Sequence, residues 1–440
     1  MKISFPTKSL ELFLRNHMQN WKAGVFEPAS RALLLAKAVL VLYHDTRVKI
    51  LSIHNFYQSH APSGEDAVVG NEIKLLRDHG HEIITYERYN DSLKEKGIFF
   101  NLFKILPGLF WSPKTFFDLR KIIKDFKPDV AHIHNLFYLL SPSVYDALRS
   151  EKIPVVHTLH NYRLFCPGAL LMRDGEVCEK CLGKSPLRSV RYGCFRDPFN
   201  TLPLALALAF HKAINTWNRK VDIFITLTEF ARDINIKGGL NADKIAIKPN
   251  FLSDPPEADL HEGSYALFIG RISREKGIQT LIQAWEGIDF PLKILGNGPL
   301  LDYLKSKVRE NKVNAEFLGQ RPFSDVMDIL KDALFLVMPS EWYEGFPMVI
   351  REAFACGKPV LASRLGGMAE IVKNGETGYH FEPGDTSDLA LKAKKLIGNP
   401  QDVVKMGGNA RREFENKYSA DINYKILMNI YHRAIDNRKR

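Results

Sequence analysis

The sequence predicts an α/β protein of two Rossmann-like, doubly wound domains, and three observations carry that prediction. From Val48 onward, short apolar runs alternate with stretches of helical spacing. A polar, proline-rich break, DPPEADLHEG, interrupts the alternation at Asp254–Gly263. Beyond it the alternation restarts.

In the first block, Val48–His54, His81–Tyr86, Asp129–His134, Pro154–Leu159 and Val221–Leu227 read as strands, and Asp66–His79 and Phe116–Phe126 as helices. Strands separated by helices must cross over to pair, which gives a parallel sheet covered on both faces. In the second block, Tyr265–Gly270, Leu292–Gly296, Ala315–Gly319, Leu334–Ser340 and Pro359–Ser363 read as strands, with helices at Lys276–Trp285, Leu300–Glu310 and Met348–Cys356. A last helix spans Ala420–Ile435. The expected domains are therefore 48–253 and 264–419. Residues 1–47 carry no motif, and an amphipathic extension, a membrane-touching helix and an over-long start all remain open. Ligands of open parallel sheets bind beyond the carboxyl ends of the strands, so the linker should bring two such ends together in a cleft.

Composition agrees with a folded two-domain chain: 440 residues, of which 45% are hydrophobic and 25% charged, exclude a disordered polymer. The net charge of +11 is uneven, with 35 Lys/Arg against 24 Asp/Glu in residues 1–250 and 26 against 26 in the rest. A basic first half suits an anionic membrane face, nucleic acid, or simply a solvated surface. No helix-turn-helix or aromatic-basic strand motif supports nucleic acid. No apolar run is long enough to span a bilayer, and Ala32–Tyr43, interrupted by Lys37, lacks a cleavage pattern, so a cytoplasmic protein is expected.

Several segments carry chemistry. GRISREKG, Gly270–Gly277, follows a strand and opens a helix, and its Arg271 and Lys276 beside free helix N–H groups suit a diphosphate. Glu344 and Glu352 lie eight positions apart, and a carboxylate accepts two hydrogen bonds from a vicinal diol such as a ribose or hexose. Between them Gly345, Phe346 and Pro347 lead into a helix start, a second anion cradle. Gly296-Asn297-Gly298-Pro299 forms a tight turn at the same edge. His132 and His134 share one face of their strand; His132 reads as core, while His134 and Asn135 at the strand's carboxyl end are candidates to line the cleft on the acceptor side.

The order of Ser63-Gly64-Glu65-Asp66, GRISREKG, LGNGP and the two spaced glutamates resembles glycosyltransferase family 4, the retaining nucleotide-sugar transferases of GT-B fold, from about Val48 to the end. The resemblance implies that Arg271 and Lys276 bind the donor diphosphate, Glu352 the nucleotide ribose and Glu344 the donor hexose, with Gly345, Phe346 and Pro347 lining sugar and phosphates. It places Gly64 in the loop approaching the donor, Gly270, Gly296 and Gly298 around it, and His160 of VVHTLHNYRLFCP against the sugar. Many members have Asp after that histidine; this chain has Asn161. The implied activity is transfer of a hexose to an acceptor hydroxyl, on a glycan or a polyprenyl- or lipid-linked acceptor, in polysaccharide or lipopolysaccharide synthesis, with Glu344, His160, Arg271 and Lys276 as the catalytic set and no cofactor required. The last helix should cross back onto the first domain. A nucleotide-sugar epimerase of the same architecture is the alternative.

Two features lie outside that resemblance. Cys166, Cys178, Cys181 and Cys194 form C-x11-C-x2-C-x12-C in a loop-like stretch, where a structural zinc, packed free thiols and a redox pair are the alternatives. Leu204–Trp217 is apolar at helical spacing and reads as a buried helix or, beside Arg188, Arg191 and Arg196, as a surface for peripheral contact with an anionic membrane.

Overall fold

The computed structural model describes residues 47–57, 63–93, 108–195, 197–258 and 260–439. The N-terminal extension, apart from Arg47, and Arg196 lie outside them. The first sheet contains β1 (Lys49–Phe56), β2 (Glu82–Tyr89), β3 (Val130–Asn135), β4 (Val155–Thr158), β7 (Ile223–Thr226) and β8 (Ile245–Ile247), all parallel in the order β2-β1-β3-β4-β7-β8. A two-residue hairpin, β5 (Met172–Arg173) and β6 (Glu176–Val177), stands apart between β4 and β7. The second sheet contains β9 (Ala266–Ile269), β10 (Leu292–Leu295), β11 (Ala315–Gly319), β12 (Phe335–Met338), β13 (Val360–Ser363) and β14 (Gly378–Phe381), again parallel, in the order β11-β10-β9-β12-β13-β14. Both sheets reverse strand order once, which is the doubly wound plan of the GT-B fold, and the reversal is where loops part and leave a crevice.

Helices cover both faces of each sheet. They include α1 (Gly64–Asp78), α2 (Pro198–Ala213) and α3 (Glu229–Gly238) in the first half, and α4 (Ile278–Trp285), α5 (Met348–Ala355) and α6 (Gly366–Ile371) in the second; α7 (Ala420–Lys439) ends the described chain. Because helices pack on both sides, strands such as VAHIHN are buried at every position rather than at alternate ones. Two buried clusters flank each sheet.

The last helix packs on the first sheet. Tyr424, Leu427, Met428, Tyr431 and Ala434, one stripe of a helical surface, bury against Ile50, Val130, Val156 and Ile223. Polar groups fix its register: Tyr424 OH lies 2.8 Å from His81 Nε2, and Asn423 Nδ2 donates to Pro249 O at 2.6 Å.

The expected strands and helices are observed within a few residues of their expected bounds, and the structure adds further helices, among them α3 and α6, as well as the β5–β6 hairpin and two edge strands. β8 and β14 are three- and four-residue edge strands, too short to show a period in sequence. The apolar segment near Leu204 proves two-faced. In α2, Leu204, Ala205, Ala207, Leu208 and His211 are buried, while Phe199, Leu202, Leu206 and Phe210 are exposed. No described helix is long and apolar enough to cross a membrane.

Candidate active site

Strands β9 and β12 are neighbours at the order reversal of the second sheet, so the loops leaving their carboxyl ends meet. The loop after β9 carries GRISREKG and the loop after β12 carries Glu344. Lys276 Nζ lies 2.6 Å from Glu344 Oε1, which also accepts from Ser340 Oγ at 2.8 Å and Trp342 Nε1 at 2.9 Å. Glu344 is 6% exposed, and in so enclosed a place its ionised form needs these three donors. Arg271 is exposed on the same loop. Lys276 belongs to a short 3-10 turn, Arg274–Lys276, and α4 begins only at Ile278; the lysine precedes the helix instead of opening it, contrary to the expected start.

Gly277 makes this meeting of loops feasible. Its φ is +65°, and a Cβ there would overlap Pro339 O of the β12 loop. Gly277→Ala should therefore push the two loops apart, lowering both the thermal unfolding midpoint and turnover; an unchanged midpoint by circular dichroism would remove the packing argument. Gly296, at φ +138°, leaves no room for a side chain against Gly270 O, so the turn at 296–298 is pressed onto the start of the cationic loop.

Pro347 precedes α5 without any side-chain cap, so the N–H groups of Met348 and Val349 have no side-chain acceptor there, while Ile350 N donates to Pro347 O at 3.2 Å. Glu352, in the second turn, is buried beside Arg351 Nη2 at 3.0 Å. Burial raises its carboxyl and Arg351 pulls it back down, with a net upward shift. Arg351 also donates to Phe251 O near the linker, a tie that the sequence did not reveal.

The first domain faces this surface at close range. A Cβ on Gly64 would lie 3.9 Å from Met348 Sδ, and one on Gly345 3.4 Å from His160 O. Glu370 of α6 accepts from Glu229 N at 2.9 Å and Phe230 N at 2.8 Å, capping α3 from the other domain. The SGED turn is a capping box for α1: Ser63 N donates to Asp66 Oδ2 at 2.6 Å while Asp66 N donates to Ser63 Oγ at 3.3 Å. Asp66 Oδ1 also meets His54 Nε2 at 2.8 Å, anchoring the helix start to β1.

Within the first domain, His160 is partly buried and stacks on His134, with its Nε2 3.2 Å from His134 Nδ1. Burial pushes its ring down to about 3, so it is neutral at physiological pH. His134 and Asn135 are both 4% exposed, and their polar atoms meet protein groups: Asn135 donates to Asn55 O at 3.1 Å and accepts from Phe137 N at 3.0 Å. Both are held by protein groups rather than pointing free into the cleft. His132 is a core residue, bonded to Thr158 Oγ1 at 2.7 Å. Sequence reasoning passed over Glu65, whose Oε1 is enclosed without a partner and whose carboxyl burial, with Asp66 beside it, raises to about 8. Asn161 Nδ2 reaches its other oxygen at 3.5 Å.

The four cysteines gather in one excursion that also holds the β5–β6 hairpin. Burial comes first in raising the Cys181 thiol, and the other three follow as its electrostatic neighbours. Four thiols are a zinc-type donor set. No three of their sulfurs, however, lie within 4.8 Å of one another; among the described residues only Glu72, His132 and His134 converge so closely, and Glu72 already holds Lys248. The excursion touches the second domain, Tyr343 OH donating to Glu179 Oε1 at 3.0 Å.

Two facing doubly wound domains, with a cation-carboxylate pair and an uncapped helix start at the switch point of the second, give the chain the GT-B architecture. Residues 62–254 match the family described as Glycosyltransferase Family 4, and residues 254–413 match the family described as Glycosyl transferases group 1. It is 28% identical to the uncharacterized glycosyltransferase MJ1178 of Methanocaldococcus jannaschii over 80% of this chain and 89% of that one. It is 28% identical to the capsular polysaccharide biosynthesis glycosyltransferase CapM of Staphylococcus aureus over 52% and 60%. Its fold matches Anabaena HepE, solved in complex with UDP-glucose, at a TM-score of 0.60 and 18% identity, over 87% of this chain and 98% of that one.

Proposed function

We propose that the protein moves a hexose from a nucleoside diphosphate sugar to an acceptor hydroxyl with retention of anomeric configuration, in cell-surface polysaccharide or glycolipid synthesis. The observation that carries this reading is the Lys276–Glu344 pair lying beside the uncapped start of α5, opposite Gly64 and His160 of the other domain. A diphosphate entering there competes with Glu344 for the Lys276 ammonium. It draws further stabilisation from Arg271 and the free N–H groups of α5 as negative charge grows on the leaving group. Glu344, still held by Ser340 and Trp342, then faces the hexose as positive charge develops at the anomeric carbon. Glu352 takes the ribose hydroxyls. The departing phosphate accepts the acceptor's proton on the face it leaves, which gives retention.

Side chains neutralise the leaving group in this scheme, so chelation at neutral pH should leave turnover intact. Loss restored by magnesium or manganese would overturn it. A structural zinc would require the Cys166, Cys178, Cys181 and Cys194 sulfurs to draw together from their separation here; metal analysis finding about one equivalent of zinc would show that they do, and metal-free, active protein would leave them as packed thiols. The exposed stripe Phe199, Leu202, Leu206 and Phe210, near basic Arg188 and Arg191, supports peripheral contact with the inner face of a membrane and thus a lipid-linked acceptor.

The deciding experiment incubates purified protein with a panel of nucleotide sugars, with and without glycan and polyprenyl-linked acceptors. Nucleoside diphosphate released only with acceptor, and an anomeric coupling in the product equal to the donor's, support the reading. Epimerised donor formed without acceptor, or an inverted product, would overturn it.

A further inference from the structure

Behind His160 lies a buried chain of charged and ring groups that the transfer chemistry above does not use. Glu72, in the third turn of α1, is 2% exposed. Its Oε2 lies 2.8 Å from Lys248 Nζ, and its Oε1 lies 2.8 Å from His132 Nδ1 and 3.5 Å from His134 Nε2. Lys248, just beyond β8, donates also to Asn423 Oδ1 of α7 at 3.2 Å, and Tyr431 OH of the same helix lies 2.7 Å from His132 Nδ1. Since His134 Nδ1 meets His160 Nε2 at 3.2 Å, an unbroken path runs from the last helix through Glu72 to the cleft.

Its chemistry has a direction. Burial alone would raise the Glu72 carboxyl, but Lys248 and then His132 outweigh it and hold it well below the ordinary range, so it is ionised. A carboxylate only accepts, so His132 Nδ1 at 2.8 Å carries hydrogen, and at 3.5 Å the same anion favours an N–H over a lone pair on His134 Nε2 by charge. Burial, with His132 beside it, holds His134 well below its usual value and therefore neutral. A hydrogen on His134 Nε2 leaves Nδ1 bare, and Nδ1 must accept from His160 Nε2–H. Neutral His160 is left with a bare Nδ1.

We propose that Glu72 is a positioning residue that fixes the tautomer of His160 through His134, so that His160 offers its Nδ1 lone pair to a hydroxyl of the donor sugar. The ligand side of this inference rests on the reading that His160 faces the donor. The tautomer does not. Setting a neutral imidazole's hydrogen by the group bonded to its other nitrogen is the general way an outer residue controls what a histidine presents. Here the anion that does so is fixed by the helix that returns from the second domain.

The test is a long-range proton–nitrogen NMR correlation of full-length protein labelled with 15N-histidine, the His160 signals being assigned with His160→Asn. Wild-type protein should show His160 protonated at Nε2. Glu72→Gln alone would strand the Lys248 ammonium, so the informative variant is Glu72→Gln/Lys248→Met, whose carboxamide can turn an N–H toward His134 and reverse the relay. His160 should then be protonated at Nδ1 and turnover should fall about tenfold, as for one lost hydrogen bond. The control Glu72→Met/Lys248→Met removes both charges and dictates neither tautomer. His160 protonated at Nδ1 in wild type, or the same His160 tautomer in wild type and the Gln variant, overturns the proposal, and the wild-type spectrum decides even if the variants fail to fold. Unaltered transfer by His160→Ala would instead sink the sugar-contact reading while leaving the tautomer result standing.

Discussion

Lys276→Ala should lower turnover by about a hundredfold or more, the scale seen when one preorganised donor to a developing anion is lost. Two effects add. The ammonium is one of the two cations expected to face the diphosphate, and it is also a partner of Glu344, whose Oε1 would keep only Ser340 and Trp342. Lys276→Arg should not restore full activity, because a planar fork cannot replace a compact ammonium seated 2.6 Å from one carboxylate oxygen. Arg271→Ala should also cost about a hundredfold, but through the diphosphate alone, since Arg271 is exposed and has no carboxylate within ion-pair distance among the described residues. Steady-state kinetics with thermal unfolding separates the two. Near-normal turnover in both variants would end the phosphate assignment.

Glu344→Gln and Glu352→Gln should fail differently. Glu344 is expected to touch the hexose as it gains positive charge, so its neutral isostere should reduce the rate constant more than donor binding. Glu352 is expected to hold the ribose, which does not change between ground and transition states, so its isostere should chiefly raise the donor's Michaelis constant. The structure adds a second expectation for Glu352. Its removal leaves Arg351 buried without a counter-ion, and breaking such a pair costs roughly 3–5 kcal/mol, so the unfolding midpoint should drop as well. If Glu352→Gln loses rate at saturating donor and Glu344→Gln only weakens binding, the two roles are reversed. If neither matters, the sugar-cleft reading of this segment fails.

Much of this was legible in the sequence, and the reason is local. Strand and helix positions follow from apolar period and length, as at Ala315–Gly319, where the expected and observed strands coincide. Gly277, Gly296 and the SGED turn announce tight backbone by composition alone. Lys276, Glu344 and Glu352 stand out because a cation and two carboxylates at fixed offsets in strand-end loops carry their chemistry in residue type and spacing.

What the sequence could not show is pairing between distant segments. The 68 positions between Lys276 and Glu344 say nothing of a 2.6 Å contact, which exists because β9 and β12 become neighbours at the sheet's reversal. Nothing in its local sequence marks Arg351, and packing buries it against Glu352 and Phe251. The cysteines showed a metal-like count, but the separation of their sulfurs is a property of the folded excursion. Glu72 and Lys248 are 176 positions apart, and nothing in the sequence marks them as a buried pair, because burial has no signature in residue type. The sequence by itself determined the two-domain architecture and marked the residues proposed to face a ligand, since these rest on periodicity and on chemistry within a few positions. Only the tertiary structure decided which charges neutralise one another and what His160 presents to the cleft, because electrostatic partnership depends on distance and on exclusion of water.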